Sequence, residues 1–396
     1  MADERINVCY GISDKTGNYA KVMGTSICSV LENTNAPVSV HILHDETLTD
    51  GNRRRLKEMA RYYGQNFFLH DVSKERQSVW EKIESSISNA IYGEFRFTLG
   101  AFYRLLMGEL LEGVERAIYL DADTIVNMDI RVLWAVEIPA GGMAAAPDVV
   151  VQDMANVAVQ RGLANQKEYF NTGVLLIDLE KFRSIDNILS RCMEFLAEYM
   201  PEDPDQAFLN YSFPHSSVLP EEYNYFVWKG RREGVPKRGY IYHYVNHSMD
   251  LDMEDDFNRL YFSYFAKTPW CDEVFLGNLA KKIEGVNNIY LNFANKCAGR
   301  RRIAVGRAAA EGTIAGQFDL RENDLYVPFE KLENFKIDFK KSKDLFLIFL
   351  MGQDYDGVKD RLIALGLEEN KNFFDMFSLL GISKKNKQGN KLFMDC

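Results

Sequence analysis

The six cysteines, Cys9, Cys28, Cys192, Cys271, Cys297 and Cys396, are scattered and form no C-x-x-C pair. That spacing argues against a disulfide framework or a zinc knuckle and fits a reducing cytoplasm. The leading residues, Met1-Ala2-Asp3-Glu4-Arg5, lack the apolar core of a signal peptide. The longest apolar run, Leu345 to Met351, is too short to span a bilayer. Basic excess is missing as well: 47 Lys and Arg face 57 Asp and Glu, a net charge of −10. Such a chain has no footprint for broad nucleic-acid binding and no general attraction for anionic lipid. There is no internal repeat and no low-complexity segment. The expectation is a soluble, cytoplasmic protein, with peripheral contact to the inner face of a membrane left open.

What is present is ordinary globular material. The chain has 396 residues, 46% hydrophobic and 26% charged, enough for two or three domains with a large core. Aromatics make up 13%, and core packing explains them as well as a sugar-facing surface does. The basic clusters Arg53-Arg54-Arg55 and Arg300-Arg301-Arg302 read as solvated faces of helices.

Strands and helices alternate along the first two thirds. Ile6 to Tyr10 read as a buried strand ending at Gly11. Tyr19, Val22, Met23, Ser26, Ile27, Val30 and Leu31 share one face at helical spacing. Val38 to Leu43 and Asn66 to Asp71 read as strands, with a helix between them capped by Thr49 and ending near Gly64. Thr98 can cap a helix running through Leu111. Phe170 to Ile177 read as a strand, Glu180 to Tyr199 as a helix, Tyr240 to Val245 as a strand and Asp255 to Ala266 as a helix. This alternation implies an α/β fold with a mostly parallel sheet, whose ligands sit outside the carboxyl ends of the strands.

The most informative segment is Ala117-Ile118-Tyr119-Leu120-Asp121-Ala122-Asp123. A short buried strand leads into two aspartates one residue apart. In an extended segment their side chains point the same way, and two hard carboxylates at a strand end suit Mg²⁺ or Mn²⁺ with open positions for phosphate oxygens. The bland alternative is a pair of turn residues. His243 is either a packed core histidine or a third ligand. Asn171 and the pair Asp205-Gln206 open later elements. There they act either as a turn residue and an N-cap, or as partners for sugar hydroxyls.

Taken together, Tyr119-Leu120-Asp121-Ala122-Asp123, Tyr169-Phe170-Asn171-Thr172-Gly173-Val174, Asp205-Gln206-Ala207-Phe208-Leu209-Asn210 and His243 resemble, in this order, glycosyltransferase family 8 over roughly residues 5–270. The resemblance implies a GT-A nucleotide-diphospho-sugar transferase fold. It also implies a UDP-hexose donor, Mn²⁺ (or Mg²⁺), a glycan or lipid-linked sugar acceptor, and retention at the anomeric carbon. By the same resemblance Asp121, Asp123 and His243 hold the metal. Gly11, Asn18, Tyr19, Asp121 and Asp148 bind the donor, and Arg104, Asn171, Asp205 and Gln206 surround the transferred sugar as the catalytic set.

The sequence departs from the family after its histidine. The usual H-x-x-G-x-x-K-P-W has Asn246, Met249, Asp250 and Leu251 where Gly, Lys, Pro and Trp belong. The missing lysine normally grips the diphosphate, which leaves Lys229, Lys267 or His247 to supply the charge. Lys267-Thr268-Pro269-Trp270 reads as the end of the preceding helix. Two rival readings follow from these residues. One is a sugar-nucleotide-binding relative without turnover. The other, less favoured, is a haloacid-dehalogenase-type phosphatase built on Asp121-Ala122-Asp123-Thr124-Ile125, which lacks a convincing acidic pair at Gly352-Gln353-Asp354.

A domain boundary is expected near 280–286, giving a transferase domain of residues 1–284 and a smaller α/β domain of residues 285–396. In the latter, Asn288 to Asn292 read as a strand, Gly299 to Glu311 as a helix, Thr313 to Asp319 and Leu345 to Leu350 as strands, and Asp354 to Leu365 as a helix capped by Gly366. The unit resembles a small Rossmann-like domain, but its turn Asn292 to Cys297 has no glycine for close approach of a pyrophosphate. A structural or partner-binding role is expected.

Overall fold

The computed structural model describes residues 5–281 apart from 74–79, 82, 84–98, 154–155, 246–248 and 250. Beyond them it describes 301–306, 325–328, 346–350, 355–364, 366–369 and 371–375. The chain divides into two compact units, Met1–Phe275 and Leu276–Asp395.

In the first unit a six-stranded sheet runs in the order β3-β2-β1-β4-β7-β6. Its strands are β1 (Ile6–Ile12), β2 (Val38–His44), β3 (Asn66–Asp71), β4 (Arg116–Leu120), β6 (Met143–Pro147) and β7 (Phe170–Asp178). The pairs among β1, β2, β3 and β4 are parallel, whereas β7 runs antiparallel to both β4 and β6. A second, three-stranded sheet joins β5 (Thr124–Asn127), β9 (Tyr240–His243) and β8 (Tyr225–Phe226). The mixed, mostly parallel sheet flanked by helices is the expected architecture. Of the small second sheet only β9 was expected, as Tyr240 to Val245; β5 and β8, of four and two residues, carry too little periodicity to register.

Helix α1 (Tyr19–Asn33) is buried from Ala20 through Leu31. Its apolar stripe suggests a one-sided helix, but it packs against β1, β5 and the helix Asp256–Phe265, so almost every side is covered. Its small hydroxyls are satisfied internally. Ser26 bonds Tyr10 and Thr124, and the Ser29 hydroxyl accepts from the Val126 N–H at 2.8 Å. Buried hydroxyls paired in this way tie α1 to β5 without an unsatisfied group. Helix α2 (Asp50–Tyr63) starts and stops as expected. The Thr49 hydroxyl accepts from the Asn52 N–H at 3.2 Å, and Gly64 closes the helix at φ 62°.

Three expectations are corrected. The stretch before β4 is a 3₁₀ helix, Leu99–Leu106, followed by one α turn, Met107–Leu110, and Thr98 lies outside the described residues. The helix expected over 180–199 is two, Leu179–Arg183 and Ile188–Tyr199, broken where Asn187 turns left-handed at φ 51°. In the second unit Arg301–Gly306 is a strand rather than part of a helix. It pairs in parallel with Leu325–Pro328 on one side and Phe346–Leu350 on the other, and Ile303 is buried. There β-branched Ile303 and Val305 outweigh the helix propensity of the arginines.

Among the described residues the sheet of this second unit is parallel, with Phe373–Asp375 beside Phe346–Leu350. The helix Tyr355–Ala364 ends before Gly366, which has φ 82°. The expected strands at 288–292 and 313–319 and the turn at 292–297 lie outside the described residues.

Candidate metal centre

The chain leaves β4 at Leu120, passes Asp121-Ala122-Asp123 and enters β5 at Thr124, crossing from one sheet to the other. This segment is a turn. The Asp121 carbonyl accepts from the Thr124 N–H at 3.2 Å and from the Thr124 hydroxyl at 2.8 Å. The aspartates therefore converge because the backbone folds, not because alternate residues of an extended strand share a face. Each sheet pins one of them. The Asp121 N–H donates to the Gly173 carbonyl of β7, and the Asp123 carbonyl accepts from the Tyr244 N–H just past β9. In the β5–β9 register Thr124 lies opposite His243, which brings the imidazole beside Asp123.

The result is a tight triad. His243 Nε2 lies 3.3 Å from Asp123 Oδ1 and 3.8 Å from Asp121 Oδ2. One ligand atom from each of the three residues falls within 4.8 Å of the others. Asp123 and His243 are buried, and Asp121 is half-buried and keeps access to the outside. Burial by itself lowers the His243 pKa, yet Asp123 and Asp121 together outweigh it and the net shift is upward. Two carboxylates facing one ring nitrogen demand a positive charge between them. Two hard oxygens and one imidazole form a donor set that fits Mg²⁺ or Mn²⁺.

Arg104, from the 3₁₀ helix, closes the other side of the triad. It is 3% exposed. Its Nη2 bonds Asp121 Oδ1 at 3.0 Å, its Nε sits 3.4 Å from Asp205 Oδ2, and its Nη1 donates to the Thr172 carbonyl. The guanidinium also lies over the Tyr119 ring, 4.4 Å from its centroid, and the Tyr119 hydroxyl donates to Asp121 Oδ1. Burial raises the Asp205 pKa against the opposing pull of Arg104. Asp205 lies inside the first turn of the helix Pro204–Ser212, and Asp203 takes the N-cap position.

Asn171, Asp148 and Gln206 form one hydrogen-bonded group beside the triad. The Asn171 amide donates to Asp148 Oδ2 and to Gln206 Oε1, both at 3.0 Å. Gln206 Nε2 donates to Asp148 at 3.1 Å and to Asp203 at 2.9 Å, while its Oε1 also accepts from the Thr172 N–H at 3.2 Å. Gln206 thereby fills its two donor and two acceptor positions. Burial raises the Asp203 pKa to about 6, partly opposed by hydrogen bonds from Tyr169, Asn156 and Gln206.

The remaining expected residues are spread around the head of α1. Burial, followed by Asp123 and Asp121, raises the Tyr19 pKa, so its phenol feels the triad. Asn18 occupies the N-cap position of α1 but its side chain makes no capping bond. Asp14 does that work, accepting from the Tyr19 N–H at 2.6 Å and from the Asn52 amide at 2.8 Å. Gly11 is held by packing, since a Cβ there would meet the Gly100 carbonyl oxygen at 2.6 Å.

The sequence reading missed Asp14, Asp203, Asn224 and the packing role of Gly173. Asp14 carried a usable signal, an acidic residue five positions before a helix start. The others are made relevant only by tertiary contact.

Residues 11–248 match the sequence profile of Glycosyl transferase family 8. The chain belongs to that family. It is 29% identical over 234 residues to the lipopolysaccharide 1,2-glucosyltransferase of Escherichia coli, covering 56% of this chain and 62% of that protein. It is 27% identical over 195 residues to general stress protein A of Bacillus subtilis, covering 48% and 63% respectively. The match thus spans less than two thirds of the length of either relative. Among solved structures, the galactosyltransferase LgtC in complex with donor and acceptor sugar analogs aligns at a TM-score of 0.54 and 21% identity. That alignment covers 69% of this chain and 99% of LgtC. The bifunctional glycosyltransferase WbbM aligns at 0.52 and 19% identity, over 68% and 50%. At these identities the likeness concerns the fold, and the fold is GT-A.

The two lysines considered for the missing diphosphate contact are otherwise engaged. Lys229 Nζ lies 2.6 Å from Glu221 Oε1. Lys267 pairs with Glu32 near the far end of α1, about 20 Å along that helix from Tyr19. The 267–270 segment does end the helix Asp256–Phe265, with the Lys267 N–H bonding the Tyr264 carbonyl. His247 lies outside the described residues.

Proposed function

We propose that the protein is a retaining hexosyltransferase that moves glucose or galactose from a UDP-sugar to a glycan or lipid-linked acceptor in bacterial surface polysaccharide synthesis, at the cytoplasmic face of the membrane. The observation that carries this reading is the convergence of Asp121, Asp123 and His243 within 4.8 Å beside a buried arginine, in a chain of this family. These three residues would hold Mn²⁺ or Mg²⁺, which when bound supplies Lewis-acid stabilisation of the charge on a departing diphosphate.

The protein's own groups do the rest. Arg104 holds Asp121 in place and adds a fixed positive charge. Tyr19 and Asn18, at the head of α1, border the uridine end of the donor. Asp148, Asn171 and Asp205 are assigned to the surroundings of the transferred sugar, where Asn171, with both donors and both acceptors engaged, acts by positioning. Gln206, with all its polar valences filled, positions Asn171 and Asp148 and is not a nucleophile. A front-face attack, in which the acceptor proton leaves with the phosphate, fits that assignment, with oxocarbenium character at the anomeric carbon. The second unit is assigned a structural or partner-binding role.

One observation favours the rival reading of binding without turnover. Lys229 and Lys267 are both paired with glutamates, so neither is poised on a diphosphate. Isothermal calorimetry with UDP-glucose, UDP-galactose, GDP-mannose and CMP-sialic acid, each with and without Mn²⁺ and followed by a UDP-release assay, separates the cases. Metal-dependent UDP-hexose binding with hydrolysis is expected. Binding without any UDP release supports the rival, and a GDP or CMP preference overturns the donor assignment.

A further inference from the structure

Asn224 ends a short 3₁₀ helix, Glu221–Asn224, immediately before β8, and is 2% exposed. Neither its neighbours in sequence nor the motifs around the aspartate pair single it out. Its Oδ1 lies 2.9 Å from His243 Nδ1, and its Nδ2 donates to Asn171 Oδ1 at 2.7 Å. Which end of an amide is oxygen, and which ring nitrogen carries hydrogen, follows from the surrounding bonds. Here the surroundings leave one solution.

The Gly173 N–H can only donate, and it donates to Asn171 Oδ1 at 2.9 Å. The Asp148 carboxylate takes the opposite end of Asn171, Nδ2, at 3.0 Å. Asn171 is thus oriented from both sides. Its oxygen requires a donor from Asn224, which must be Nδ2. Asn224 then turns Oδ1 to the imidazole, and the only partner that suits an oxygen is a protonated Nδ1. With a hydrogen held on Nδ1, Nε2 faces Asp121 and Asp123, and a metal ion taking the place of the proton between them would meet its lone pair. A ring nitrogen in that state is the form that ligates a metal.

The ring is fixed in place as well as in tautomer. The Phe226 ring meets it edge-on at 5.7 Å between centroids, and a Cβ at Gly173 would lie 2.3 Å from its Cε1. Phe226 is in register with His243 in the β8–β9 pair, so the strand that carries Phe226 begins directly after the asparagine that sets the proton.

We propose that Asn224 is the positioning residue of the metal centre: it holds His243 in the Nδ1–H tautomer and couples that ligand, through Asn171, to the Asp148–Gln206 group. This inference rests on the metal reading of Asp121, Asp123 and His243 given above. Removal of such an outer partner typically weakens metal binding 10- to 100-fold.

The test is calorimetric Mn²⁺ titration of the full-length protein without any donor sugar, on wild type, Asn224→Ala and Asn224→Asp, with unfolding curves alongside. If wild type takes up no Mn²⁺, the metal reading itself fails. If it does, Asn224→Ala is expected to raise the Mn²⁺ Kd at least tenfold. Asn224→Asp keeps an acceptor for Nδ1–H but sets an oxygen against Asn171 Oδ1, so it is expected to weaken Mn²⁺ binding less than Asn224→Ala does, by about three- to tenfold. A purely structural asparagine would lose both alike. An unchanged Kd in Asn224→Ala, or a loss well beyond tenfold in Asn224→Asp, overturns the proposal. The Asp variant decides it alone if the Ala variant does not fold.

Discussion

Gly173 and His243 are so close that a Cβ on residue 173 would sit 2.3 Å from the imidazole Cε1 and 2.7 Å from Nδ1. The absence of a side chain on β7 is what lets a histidine of the other sheet reach the aspartate turn. Gly173→Ala should therefore push the ring away from Asp123. Overpacking of this kind costs about 1–3 kcal/mol of stability. The Mn²⁺ Kd should rise by about tenfold or more, as when an outer partner of a ligand is lost. Urea unfolding and metal titration check the two effects together. A variant that binds Mn²⁺ like wild type would show that His243 is not held from this side.

Asp123→Ala removes the carboxylate nearest to His243. In wild type, UDP-hexose with Mn²⁺ should raise the melting temperature, with a gain of about 2.7 kcal/mol at a hundredfold excess over Kd. The same additions should leave the melting temperature of Asp123→Ala unchanged. Thermal shift in the presence and absence of EDTA measures this. A UDP-hexose shift that survives in the variant or in EDTA counts against the metal centre.

Arg104 and Asp205 are both buried, with side-chain exposures of 4% and 6%. Removing the arginine leaves Asp205 charged and unpaired in the interior and should cost about 3–5 kcal/mol. Arg104→Ala is expected to unfold at a much lower urea concentration, and Arg104→Ala/Asp205→Asn should recover part of the loss. Arg104→Lys keeps the charge but not the fork that reaches Asp121, Asp205 and Thr172 together, and should not restore activity. Equal stability of the single and double variants would argue that the pair is not coupled.

Asp203 supplies a pH signature. Its pKa stands at about 6 in the folded protein against an ordinary 3.8, through burial. The folded state therefore holds this proton more tightly than the unfolded chain does. Its contribution favours folding most below pH 4 and is lost as pH rises through about 6. Asp203→Asn, which does not titrate, should flatten the fall in stability across that window while keeping an acceptor for the Tyr169 hydroxyl. Urea midpoints at pH 4, 5, 6 and 7 for both proteins test it. Parallel profiles would exclude Asp203 as the source.

The aspartate pair stood out in the sequence because an apolar strand leads into it, a local pattern. The helix ends at Thr49 and Gly64 were legible for the same reason. Asn171, Asp205 and His243 stayed open between structural and functional readings until the resemblance to the family set them in order. The strand at Arg301–Gly306 was misread as helix because a central strand of a parallel sheet is set by its two neighbours, which lie far away in sequence. Asn224 and the packing role of Gly173 left no trace, since a buried amide and a strand glycine look ordinary until the ring they serve is beside them.

By itself the sequence determined the order of the longer strands and helices in the first unit, the apolar strand before the aspartates and the set of polar residues available for chemistry. Tertiary structure alone decided that the aspartate pair is a turn joining two sheets, that the β5–β9 register sets His243 against it, and that Asn224 stands behind the ring. The physical reason is one of range. Propensity and periodicity act over a few residues, whereas a metal-sized gap among Asp121, Asp123 and His243 depends on backbone hydrogen bonds between strands more than a hundred positions apart.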